Sequence, residues 1–118
     1  MKDKSSSEEF CEILGVTPRN RVLECFIEGR EMDFSSGSIA ETTELNRATT
    51  YRVIEQLEKE EFILPTRKVS GAQLYKINKV KREVRVLITI FDMILDKIEE
   101  EYNQKTSIKQ RKELIQTI

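Results

Sequence analysis

Residues 46–59, NRATTYRVIEQLEK, decide how this chain is read. Thr50, Val53, Ile54 and Leu57 recur at i, i+3, i+4 and i+7, the spacing that gathers apolar side chains on one stripe of an α-helix. Arg47, Ala48, Tyr51, Arg52 and Glu55 fall on the opposite side. Asn46 stands where a helix start needs a side-chain oxygen to accept from the free amides of the first turn. The stretch predicts an amphipathic helix with a buried stripe and an exposed face that opens on two arginines, a tyrosine and small residues.

That face suits the chemistry of a DNA major groove. Long donors reach base edges, little bulk lets the helix approach, and the positive end of the helix dipole lies toward phosphates. Asn46, Arg47, Ala48, Thr49, Tyr51 and Arg52 are the candidate contacts. A plain solvated surface helix would carry similar charges, so the flanking segments have to arbitrate.

Upstream, Phe10, Ile13 and Leu14 suggest a short helix from Glu8 to Leu14, ended by Gly15, after a polar opening over residues 1–7 that is expected to fray. Thr17 followed by Pro18 is a helix start, since the missing amide of proline costs nothing at the first position. Val22, Leu23, Phe26 and Ile27 give that helix its apolar stripe, and Gly29 stops it. Met32 and Phe34 bracket a short extended piece able to join a later hairpin as a third strand. A Ser35–Ser38 loop, a short helix over 39–43 and a turn at Glu44-Leu45 then lead to Asn46: helix, turn, helix.

Downstream, Pro65 breaks any helix, and two β-capable runs, 62–69 and 72–77, meet at Ser70-Gly71 in a hairpin. Pro65 fits only an edge or a bulge of such a sheet. Arg67 and Lys68 stand near the hairpin tip. From residue 80 the apolar positions are Val80, Val84, Leu87, Phe91, Ile94 and Ile98, a heptad-like seam. Asn78 can cap that helix, and Asn103-Gln104 reads as a linker to a tail or short last helix. A helix with so wide an apolar face must lie on its own domain, pair with a second copy, or do both. Because the earlier helices already furnish a core, Val84, Leu87, Phe91, Ile94 and Ile98 are expected to face a partner copy.

The net charge of -1 hides an asymmetry. Residues 1–45 carry 5 basic and 10 acidic groups, residues 46–82 carry 9 and 4, and residues 83–118 carry 6 and 7. Positive charge is concentrated on the candidate reading helix and the hairpin, which is the field phosphates feel. With two cysteines and no histidine, a metal site has too few ligands, no cofactor is expected, and a cytoplasmic, reduced protein is the default. Cys25 reads as a small core or boundary residue. No run is apolar enough for a membrane span. There is no Gly-rich phosphate loop and no nucleophile–base–orienter set, so no catalytic residue is assigned.

Ile39-Ala40, Leu45, Thr49-Thr50-Tyr51-Arg52, Leu57-Glu58-Lys59, Phe62-Ile63, Arg67-Lys68, Gly71 and Leu74-Tyr75-Lys76-Ile77-Asn78, in that order, resemble the small winged helix-turn-helix transcriptional regulators frequent in archaea, broadly akin to the MarR and ArsR types. The resemblance covers about residues 17–98. It implies a mainly α fold with a small antiparallel β-hairpin wing and a long C-terminal dimerisation helix. It divides the chain into an N-terminal extension (1–16), a winged helix-turn-helix domain (17–79), a dimerisation helix (80–102) and a tail (103–118). It further implies a homodimer on double-stranded DNA, with Arg47, Thr49, Tyr51 and Arg52 on the reading helix and Arg67 and Lys68 on the wing. No effector is marked. The sequence departs from the pattern at Glu44, where such turns often carry glycine, and a positive φ there would cost energy. The competing reading is a winged-helix module that binds only protein, favoured by Glu44 and the overall acidity.

Overall fold

The structure, a computed structural model, describes the backbone of residues 6–117 and the side chains of residues 10–103. The expected fraying lies largely outside the described residues. The order is α1 (Ser6–Leu14), α2 (Pro18–Glu28), β1 (Phe34–Ser35), α3 (Ser36–Thr43), α4 (Arg47–Lys59), β2 (Ile63–Val69), β3 (Ala72–Ile77) and α5 (Arg82–Thr117). The expected three-helix core, three-stranded sheet and long last helix are all present.

Local chemistry sets the boundaries. Thr17 caps α2, its hydroxyl accepting from the Asn20 amide at 3.1 Å, with Pro18 at the first position. Gly29 closes α2 because a Cβ there would collide with the Phe34 ring, itself edge-on to Phe26 at 5.8 Å. α3 starts earlier than the sequence suggested. Ser35 is its N-cap, accepting from the Ser38 amide at 3.2 Å, so the expected loop is already the first turn of the helix. Asn46 caps α4, accepting from the Thr49 amide at 2.7 Å. α4 ends in a Schellman motif: the Phe62 amide donates to the Leu57 carbonyl and the Glu61 amide to the Glu58 carbonyl, with Glu61 at φ 62°.

The sheet order is β1-β3-β2, all antiparallel, so Pro65 lies on an edge strand, where no inward amide is needed. Ser70 and Gly71 both have positive φ (50° and 82°), as a two-residue type I′ turn requires. Between the pairs Pro65–Tyr75 and Lys68–Gln73, β2 has two residues and β3 only one, so Thr66 and Arg67 form a bulge.

One core joins these elements: Phe10, Val22, Leu23, Phe26, Ile27, Ile39, Val53, Ile54, Leu57, Ile63 and Ile77 are buried together with Val84, Phe91 and Ile94 of α5. The single chain itself covers much of the seam expected to face a partner copy. Val84, Phe91 and Ile94 are covered within the single chain, and Leu87 and Ile98 pack partly buried against the same cluster. Phe10 of α1 meets Phe91 edge-on at 5.9 Å. Arg30, just past α2, grips Asp92 with two hydrogen bonds of 3.1 and 2.6 Å.

Two further boundaries differ. Val80 is exposed (86%) and sits in a turn held by Asn78, whose side-chain oxygen accepts from the Val80 amide at 3.2 Å; α5 begins only at Arg82. It then runs through Asn103 and Gln104 without a break to Thr117, where the sequence suggested a linker. At 36 residues it is about 54 Å long, at ~1.5 Å per residue, and it dominates the 65 Å long dimension of the molecule. Among the described residues no helix is long and apolar enough to cross a membrane.

Candidate nucleic-acid interface

α4 is seated by its apolar stripe. Thr50, Val53, Ile54 and Leu57 are buried, and the Thr50 hydroxyl donates to the Asn46 carbonyl at 2.9 Å, so even the polar member of the stripe is satisfied. The opposite face is bare. Arg47, Ala48, Tyr51, Arg52, Glu55, Gln56 and Lys59 are all exposed, and Thr49 is half-buried. Among the described residues neither Arg47 nor Arg52 has an ion-pair partner. Asn46 is exposed too, but its side-chain oxygen is committed to the cap, leaving only its NH2 for a ligand.

The turn before α4 is held from behind. Arg21 of α2 donates to the carbonyl of Thr43, the last residue of α3, and so satisfies a free helix-end acceptor. The Thr43 hydroxyl donates to the Ile39 carbonyl at 2.6 Å. Glu44 then turns the chain with φ 60° and ψ 20°, the left-handed conformation anticipated for this position. Glu44 is exposed two residues ahead of the Asn46 cap, near the N-terminal end of α4.

The hairpin carries Arg67 and Lys68, but the structure separates them. Arg67 is bound side-on to Asp33: Nε donates to Oδ2 at 2.9 Å and Nη2 to Oδ1 at 3.3 Å. The Thr66 hydroxyl joins them on Asp33 Oδ2 at 2.8 Å. Those hydrogen bonds hold the Asp33 carboxyl below its ordinary range and raise Arg67 further. Lys68 is exposed with no such partner among the described residues. Gln73 Nε2 donates to the Arg67 and Leu74 carbonyls at 3.1 and 3.0 Å, stitching the bulge from β3.

Sequence reasoning missed Asp33, Arg21 and Gln73. Each acts across a gap of several residues between elements whose register had to be known first. The only signal was a lone carboxylate ahead of the short strand predicted to join a basic hairpin.

The thiols take no part. Cys11 is buried and its Sγ donates to Glu24 Oε2 at 2.8 Å; burial, then the Glu24 hydrogen bond and charge, push it up to about 12. Burial, then the charges of Glu28 and Glu24, push Cys25 up to about 11. Neither has thiolate character at neutral pH. Among the described residues no cluster of cysteine, aspartate and glutamate could hold a metal ion.

No protein-family model matches the chain, and no curated protein matches it in sequence. Solved structures do match in fold. MepR, a transcription regulator of the Staphylococcus aureus multidrug efflux pump MepA, is 13% identical over 96% of this chain and 87% of its own, with a TM-score of 0.56. TubR bound to 24 bp of tubC, from Bacillus thuringiensis serovar israelensis pBtoxis, is 18% identical over 79% of this chain and 98% of its own, again at 0.56. The fold is a winged helix-turn-helix. The ferric uptake regulator of Francisella tularensis, solved with iron, is 21% identical with a TM-score of 0.51, but the match spans only 57% of this chain and 55% of that one. In this winged helix α3 and α4 form the helix-turn-helix, β2 and β3 the wing, and α5 the C-terminal helix.

Proposed function

We propose that this chain is a sequence-specific DNA-binding transcriptional regulator, not an enzyme, and that it acts as a homodimer in the cytoplasm. The supporting observation is the bare face of α4: two arginines without ion-pair partners among the described residues, flanking Ala48 and Tyr51, on a helix whose other face is fully buried. In this reading α4 enters the major groove with Arg47 and Arg52 as base or phosphate donors, Ala48 and Thr49 allow close approach, and Tyr51 meets a phosphate or a thymine methyl. The wing lies along the backbone or in the minor groove, with Lys68 a cation that has no ion-pair partner among the described residues.

The dimer reading moves to a different stripe of α5. Val86 (54% exposed) and Met93 (65% exposed) lie seven residues apart on the side of α5 opposite Val84 and Phe91, and half-buried Ile90 borders them while packing in part against the core. A second copy packed on this outer stripe removes it from water and sets two reading helices on half-sites about 34–36 Å apart. The residues first reserved for the partner hold α5 to its own domain instead.

Selecting bound fragments from a random duplex pool tests the proposal. An enriched two-fold sequence is expected. Arg47→Ala and Arg52→Ala should each weaken it by ~1–3 kcal/mol and relax one base position. Met93→Glu should give a folded monomer by sedimentation. Failure of both arginine variants to alter affinity for the enriched site would remove α4 as the reading helix. Glu55, exposed on the same face, and Glu44 favour a second reading, a protein-binding module. That reading expects retention on a partner that is insensitive to salt, with none on duplex DNA.

A further inference from the structure

Asp33 takes three donors at once, and all three come from the bulge of the wing. A regular strand points successive side chains to opposite faces, so Thr66 and Arg67 could not both reach one carboxylate. The extra residue in β2 turns them to the same side. Gln73 holds the Arg67 carbonyl while Asp33 holds its guanidinium, so this residue is fixed at both ends. Asp33 itself is anchored by its neighbour Phe34, which pairs with Tyr75 of β3 and packs edge-on against Phe26. The side chain of Arg67 nevertheless remains 66% exposed, against 19% for Asp33. The side-on bridge uses Nε and Nη2 and leaves Nη1 for another acceptor.

Resting on the DNA-binding reading above, we propose that Asp33 is a positioning residue that sets sequence discrimination. It withholds the charge of Arg67 from indiscriminate phosphate pairing and fixes the wing so that only a groove of matching shape brings a phosphate to the open guanidinium edge. Non-specific binding is almost wholly phosphate neutralisation, each neutralised phosphate adding ~0.9 to the slope of log affinity against log salt. An arginine already neutralised by a bidentate carboxylate contributes little to that term. Lys68, a few ångströms along the strand and without such a partner among the described residues, contributes fully.

The test compares wild type, Asp33→Asn, Arg67→Gln and the double variant on a random-sequence duplex and on a duplex selected by the wild type, across a range of salt. The asparagine is isosteric and still accepts from Thr66, so the sheet is preserved. Freed from its counter-charge, Arg67 in Asp33→Asn is expected to tighten binding to the random duplex several-fold and to steepen its salt slope by ~0.9. The ratio of selected to random affinity falls accordingly. In the Arg67→Gln background the same change adds no slope, because no cation is released. Three results overturn the inference: an unchanged slope and ratio in Asp33→Asn, an equal steepening without Arg67, or a parallel loss on both duplexes, which marks a merely structural tie. Wild-type protein with no salt-dependent affinity for any duplex overturns the DNA reading itself, and this inference with it.

Discussion

Glu44→Gly should make the protein more stable and, on the proposed DNA-binding function, tighten its hold on duplex DNA. Glu44 sits at φ 60°, ψ 20° as the C-cap of α3. An L-residue with a Cβ is roughly 1–2 kcal/mol worse there than in the right-handed region, because Cβ crowds the following carbonyl. Glycine escapes that cost but gives back about 0.5–1 kcal/mol in unfolded-state entropy. The carboxylate also lies near the positive end of α4, an exposed interaction worth at most a few tenths of a kcal/mol here. The net expectation is a gain of about 0.5–1 kcal/mol. For a chain of 118 residues this corresponds to a rise in Tm of roughly 2–4 °C. Glu44→Gln separates the two causes. It removes the charge and keeps the strained backbone, so its Tm should stay within about 1 °C of wild type. Both variants remove an exposed negative charge ahead of α4 and, on the proposed function, should bind duplex DNA more tightly at low salt, an effect that fades as salt rises. Thermal unfolding of the three proteins at neutral pH decides the first part. A Glu44→Gly Tm equal to or below that of Glu44→Gln would refute the backbone-strain argument.

Two further outcomes follow from ties inside the fold. Gly29→Ala places a methyl against the Phe34 ring, which Phe26 prevents from yielding; the cost should be about 1–3 kcal/mol, read as a lower urea midpoint at an unchanged m-value. The Arg30 hydrogen bonds, then its charge, hold the Asp92 carboxyl below its ordinary 3.8. The folded state therefore binds that proton less readily than the unfolded one. The stabilisation is present above about pH 4 and is lost as pH falls through the lowered value. Asp92→Asn should abolish that acid step and cost on the order of 1 kcal/mol at neutral pH, less than a buried pair because Asp92 is half-exposed; an unaltered acid-unfolding profile would count against the clamp.

What the sequence disclosed, and what it hid, divides along one physical line. The caps at Thr17 and Asn46, the hairpin turn at Ser70-Gly71 and the edge-or-bulge place of Pro65 depend on a few consecutive residues, and each was legible; the Ser35 cap of α3 and the late start of α5 at Arg82 were not. The two-faced character of residues 47–59 was legible too, since the period of a helix is a local property. The seam of α5 shows where that logic stops. Period told us that Val84, Leu87, Phe91, Ile94 and Ile98 share a face, but not whose atoms cover it. That depends on Phe10 and Arg30, 81 and 62 residues distant from Phe91 and Asp92. An apolar stripe carries no record of whether its partner is the same chain or a copy. The wing is the same case with charge in place of apolar area. Arg67 and Lys68 are adjacent and equal in the sequence, and only the bulge opposite Leu74 and the placement of Asp33 make one a held side chain and the other a cation with no ion-pair partner among the described residues. The composition could count the positive charges near the wing; how many of them a phosphate can reach is a property of the folded sheet.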